Sequence, residues 1–135
     1  MIWYILVYPI HRFPMYRITR YWSEDGMSIN KELLKGSTVI LLLKVLSKKE
    51  MYGYELIREI ELSSDGVFLM KEGTLYPILH TLEAEEMLES YWRQHDGRKR
   101  KYYRITDRGR SMLEEKTKEW VRFRTAVDSV IGEGS

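Results

Sequence analysis

At 135 residues, 44% apolar and 31% charged, the chain has the size and make-up of one globular domain. It contains no cysteine, which excludes disulfides and thiolate metal sites, and no apolar run near the roughly 20 residues of a membrane-spanning helix, so a cytoplasmic protein is expected. The net charge of +2 conceals blocks: residues 27–49 hold five basic and one acidic residue, 50–90 two and ten, 91–110 eight and two, and 111–135 four and five. The basic block at 91–110 reads as the footprint of a polyanion partner, with a solvated, charged hairpin face as the alternative.

Residues 1–26 are dense in Trp, Tyr and Ile and show no sustained period of two or 3.6. Their apolar run is short, the basic residues follow it, and no small-residue cleavage site appears, so a secretory signal is rejected. Two readings stay open. The stretch is either an aromatic arm or upstream sequence from a misassigned start, with Met27 the first residue, and the second is favoured. The body then opens with a helix over 30–46, apolar on all sides from Val39 to Leu43 and therefore central in a small core. A second helix is expected over 51–61, with Leu56, Ile57 and Ile60 as its buried stripe. Gly53, which costs about 1 kcal/mol in a helix against Ala, implies a close approach of another backbone. Val67, Phe68 and Leu69 form a short apolar connection with room for one brief strand.

The third helix, 73–87, places Leu75, Ile78, Leu79 and Leu82 on one face, with Pro77 near its beginning. Two segments rich in Tyr, Trp and Arg follow, separated by Asp96-Gly97, the signature of a β-hairpin. Its second arm carries Arg98, Lys99, Arg100 and Lys101 in a row. Thr106 is placed to cap a last helix that runs to about Ile131 and stops at Gly132. Leu113, Trp120 and Val127 recur every seven residues, with Phe123 and Val130 in a second row, a seam broad enough to need a partner. A symmetric dimer through this helix is expected, with packing of the same helix inside one chain as the alternative. The fold is thus mainly α with a small β-hairpin wing: an extension at 1–26, a winged helix-turn-helix at 27–106, and a C-terminal dimerisation helix and tail at 107–135.

These residues resemble the PadR-like family of winged-helix transcriptional regulators. The resemblance rests on Met51-Tyr52-Gly53-Tyr54-Glu55, on Gly73-Thr74-Leu75-Tyr76-Pro77, on Leu79, His80, Leu82 and Glu83, and on 100–106, RKYYRIT, with Gly109 after it. It spans 30 to about 131 and looks like the short subfamily with a single C-terminal helix. It implies a homodimeric repressor of promoter DNA, released in some members by a small aromatic or drug-like ligand between the C-terminal helices, where Trp120 occupies the corresponding place. Two residues depart from the family pattern: Thr81 replaces a usual Arg or Lys, and Glu86 replaces the Gly that closes helix three.

DNA contacts are therefore expected from Lys71, Thr74, Tyr76 and His80 on helix 73–87 and from Arg98, Lys99 and Arg100 on wing 88–105. Packing on the wing is the other reading of Tyr76, and an ordinary exposed histidine that of His80. Leu113, Trp120, Phe123 and Val127 are the candidate dimer and ligand residues; for Trp120, plain buried packing is the alternative. No enzyme is expected. His11, His80 and His95 are scattered, and there is no phosphate loop, GxSxG or ligand spacing, so no catalytic residue, metal or cofactor is called for. The functional alternative is a winged-helix adaptor that binds protein without reading DNA.

Overall fold

The computed structural model describes residues 31–132, with side chains from 37 onward. The extension at 1–26 and the tail after 132 lie outside the described residues. The elements are α1 (Lys31–Lys48), β1 (Met51–Tyr52), α2 (Gly53–Ser63), α3 (Glu72–Ala84), β2 (Leu88–His95), β3 (Arg98–Ile105) and α4 (Asp107–Ile131). The three strands form one antiparallel sheet in the order β1-β3-β2.

The core lies where α1, α2 and α3 meet the inner face of the sheet. Leu42, Leu43 and Leu46 come from α1, Leu56 and Ile60 from α2, and Leu88, Tyr103 and Ile105 from the strands. The expected face of α3 is buried, with Leu75, Ile78, Leu79 and Leu82 all exposed by 3% or less. Ile57 is only partly buried, so the α2 stripe is narrower than its spacing implied.

Four local expectations are corrected. No strand forms at 67–69; the brief strand is Met51–Tyr52, which pairs with Tyr103 and Tyr102 of β3. Consequently α2 starts two residues later than expected, with Tyr52 as its N-cap. Helix α3 ends at Ala84, and because it starts at Glu72, Pro77 stands in its second turn. The hydrogen bond that Pro77 cannot make would reach the carbonyl of Gly73, an exposed residue in the first turn. At Gly53 the close neighbour is a side chain rather than a backbone: an added Cβ would fall on the Tyr76 hydroxyl.

Other expectations hold. Asp96 and Gly97 take φ 54 and 75, positive at both central positions as a tight hairpin turn of the type I′ kind requires. Thr106 caps α4 by accepting from the Gly109 N–H at 3.0 Å, and Gly132 ends it at φ 87. Gly109 is buried, and a Cβ there would strike the Met87 carbonyl, so α4 leaves the sheet at very close range.

The end of α3 forms a Schellman motif. The Met87 N–H donates to the Leu82 carbonyl at 2.9 Å and the Glu86 N–H to the Glu83 carbonyl at 3.0 Å, with Glu86 left-handed at φ 64. The Thr106 hydroxyl donates to the Glu86 carbonyl at 2.7 Å, tying this turn to the start of α4. A side chain in the left-handed region costs about 1 kcal/mol that glycine would not incur. Glu86→Gly is therefore expected to raise the urea-unfolding free energy by about 1 kcal/mol; no change or a fall would contradict the strain.

Candidate nucleic-acid interface

Strand pairing sorts the wing side chains onto two faces, because successive residues of a strand point to opposite sides. Leu88 pairs with Ile105, Ser90 with Tyr103, Trp92 with Lys101 and Gln94 with Lys99, and these share the face that carries the core residues. Glu89 pairs with Arg104, Tyr91 with Tyr102, Arg93 with Arg100 and His95 with Arg98 on the opposite face. The basic run is therefore divided. Lys99 and Lys101 leave β3 on the side of α3 and Arg98 and Arg100 on the other, with Arg100 still reaching the rim of the cleft beside Tyr52 and Tyr76.

On the outer face each tyrosine is covered. The Arg104 guanidinium lies 4.9 Å above the Tyr91 ring, Arg93 4.8 Å above Tyr102, and Arg100 4.5 Å above Tyr52. Tyr102 also stacks on Tyr91 at 5.8 Å and meets Tyr52 edge-on at 5.4 Å. Each cation–ring contact is worth about 0.5–1 kcal/mol near the surface, so Tyr52 anchors the wing to the start of α2. The buried Nε of Arg100 meets no hydrogen-bond acceptor among the described residues. His95, at the turn, packs 5.6 Å from Tyr52 and lies 3.3 Å from the Asp96 carboxylate.

A second set of contacts joins the wing to α3. Glu83 accepts a hydrogen bond from the Ser90 hydroxyl and lies 3.7 Å from the Lys101 ammonium. That ammonium also sits 5.7 Å from the Tyr103 ring. Between α3 and the wing runs a cleft of ≈ 320 Å³, bordered by Tyr76 and His80 on the helix side and by Trp92, Lys99, Arg100 and Lys101 on the wing side.

Of the expected contact residues, the structure brings Tyr76, His80, Lys99 and Arg100 together at this cleft. Tyr76 is half-buried against Gly53, and burial first, then the neighbouring Glu72, raises its phenol above the usual range, with Arg100 opposing. Lys71 is the exposed N-cap residue of α3 and Thr74 is half-buried in its first turn. Arg98 is exposed beside the hairpin turn. Neither Arg98 nor Lys99 has an ion-pair partner among the described residues. Trp92 and Lys101 were not singled out from the sequence as contact residues. The alternation of the strand carried the signal, since both share the face of Lys99.

The C-terminal candidates lie elsewhere. Leu113 packs on the core together with Met112. Beyond it α4, a helix of 25 residues and about 37 Å in length, leaves Trp120 41%, Phe123 59%, Val127 37% and Val130 85% exposed. Trp120 and Phe123 stack at 5.8 Å.

Sequence and fold both match known regulators. A model of the transcriptional regulator PadR-like family matches residues 42–115. An uncharacterised protein of Lysinibacillus sphaericus is 37% identical over 101 residues, covering 74% of this chain and 93% of its own. The transcriptional regulator Rv3488 of Mycobacterium tuberculosis is 39% identical over 85 residues, 63% of this chain and 77% of its own. Among solved structures, a PadR-like transcriptional regulator from Bacillus cereus superposes with a TM-score of 0.67 at 33% identity, covering 75% of this chain and 97% of that one. A transcriptional regulator from Clostridium thermocellum gives 0.68 at 28% identity, over 73% and 97%.

Tyr103, 1% exposed at the centre of this arrangement, has its phenol pushed up to about 12 by burial, with smaller contributions from Glu83 and Tyr76. Below its unfolded value of 10.0 the residue is neutral in both states, so its full contribution is present there. As pH rises from 10 toward 12 the unfolded chain loses this proton first, and stability falls by up to about 1.4 kcal/mol per pH unit. Urea unfolding across that window is expected to show the fall, reduced in Tyr103→Phe. An identical pH profile in the variant would contradict the assignment.

Proposed function

This chain belongs to the transcriptional regulator PadR-like family, and on that premise we propose that it binds promoter DNA as a homodimer and represses transcription. Helix α3 enters a major groove, which admits a single helix, and the wing holds the adjacent backbone. Thr74, Tyr76 and His80 carry hydrogen-bonding groups for base edges or phosphates, and Lys71 precedes them at the helix start. Arg98 and Lys99 neutralise phosphates.

The observation that carries this reading is the cleft itself. It joins the uncharged polar face of α3 to a basic wing whose tip cations, Arg98 and Lys99, are exposed and without acidic partners among the described residues. Arg100 plays a different part. Stacked on Tyr52 at the rim of the cleft, it holds the wing at its angle and adds positive potential there. The dimer is supported by α4, where an apolar stripe of Trp120, Phe123, Val127 and Val130 continues past the last residues that reach the core. Two such stripes cover one another in a two-fold pair, which sets two copies of α3 side by side. The Trp120–Phe123 stack offers a flat aromatic wall at that interface for a small aromatic or drug-like ligand. Binding there changes the angle between the two DNA-reading units and lowers operator affinity. Among the described residues no helix is long and apolar enough to cross a membrane, in keeping with a protein that works on DNA in the cytoplasm.

The test is a salt series on a duplex from immediately upstream of the chain's own coding sequence, beside a scrambled duplex. Binding should fall steeply with salt and favour the specific duplex by about 10³ or more. Replacing Arg98 and Lys99 by Ala should lower the log–log slope by about 0.9 for each phosphate contact removed. Equal weak binding to both duplexes, or an unchanged slope, would contradict the reading.

A further inference from the structure

The wing's aromatic rings are covered with one exception. Tyr52, Tyr91 and Tyr102 carry guanidinium groups, and Tyr103 has the Lys101 ammonium at 5.7 Å. Trp92 lies in the middle of the same sheet, is 62% exposed, and meets no ring and no cation among the described residues. Its cross-strand partner is Lys101, whose ammonium lies by Tyr103 and Glu83. The indole is thus left bare on the face that borders the cleft, opposite Tyr76 and His80 and beside Lys99.

A large bare ring that adds little to the core needs another reason to stand there. Among the described residues the other large exposed apolar side chains lie on α2, at Leu69 and on α4, so Trp92 forms no apolar patch with them for a protein partner to cover. Its surroundings are cationic and polar instead. That combination suits a DNA strand, whose deoxyribose presents an apolar edge between two phosphates.

We infer that Trp92 is a DNA-contact residue of the wing, its ring lying against the sugar of the strand that passes the cleft while Lys99 neutralises the adjoining phosphate. The inference rests on the DNA-binding reading above and adds to it a non-ionic component of the wing's grip. A ring laid on a sugar gains affinity without releasing a counterion, so its contribution persists at high salt, where that of Lys99 fades.

Full-length wild type, Trp92→Ala, Trp92→Phe and Lys99→Ala are to be titrated on the same upstream duplex across a salt series, with thermal melts alongside. On the scale of aromatic contacts to nucleic acid, Trp92→Ala should weaken binding by about fivefold or more at every salt concentration, with the slope of wild type. Trp92→Phe should restore most of the loss, Lys99→Ala should lower the slope, and all four proteins should melt together. Binding by Trp92→Ala within about twofold of wild type would overturn the inference and leave the DNA-binding reading intact. A loss confined to low salt, or a clear fall in the melting temperature of both Trp92 variants, would overturn it as well, by making the ring an electrostatic or a structural element. If wild type fails to prefer the upstream duplex over a scrambled one, the underlying reading falls and this inference with it.

Discussion

The arrangement depends on β3 being held from both sides. A hairpin alone is marginally stable in water and would swing freely from its stem. Here Met51 and Tyr52 pair with Tyr103 and Tyr102, so the residues just before α2 become a third strand. The Tyr52 ring then receives Arg100 and the edge of Tyr102, and Glu83 near the end of α3 engages Ser90 and Lys101. The wing is fixed to both helices of the helix-turn-helix. The distance between α3 and the wing tip follows from those contacts, and so does the width of the cleft between them.

Charge in the wing is divided by role. Eight basic residues fall within 91–110, yet many are engaged inside the fold. Arg93 and Arg100 cover tyrosine rings, Arg104 is paired with Glu89 at 2.9 Å, and Lys101 is held by Glu83. Arg98 and Lys99, next to the Asp96-Gly97 turn, are exposed and without an acidic partner among the described residues, and in the proposed complex they face the DNA. Covering tyrosines with arginines permits a three-stranded sheet to keep several aromatic residues near its surface without an apolar patch. Trp92 departs from that pattern, with no cation over its ring among the described residues.

Much of this was legible in the sequence, and the parts that were not share a cause. The apolar face of α3, the Asp96-Gly97 turn and the Thr106 and Gly132 caps are local signals, each set by periodicity or by a backbone angle that few residues adopt. The left-handed Glu86 was visible only through resemblance, since nothing in its own chemistry announces the conformation. The strand Met51–Tyr52 is too short to show a period, so it read as the start of α2. Gly53 announced a close neighbour, but its identity, the Tyr76 ring, is a tertiary fact. Likewise a run of four basic residues does not reveal which of them will lie on tyrosines. The exposed stripe of α4 was readable as heptads, because a helix that outgrows its own core keeps its spacing whether or not a partner is present.

In the proposed complex, two copies of α3 and its wing meet one duplex with two-fold symmetry. Hydroxyl-radical footprinting of the full-length protein on its upstream duplex tests this most directly. Two protected stretches are expected on one face of the DNA, separated by about one helical turn or a small multiple of it, each with its half of an inverted repeat. A single protected stretch, or uniform protection along the duplex, would contradict the two-fold arrangement.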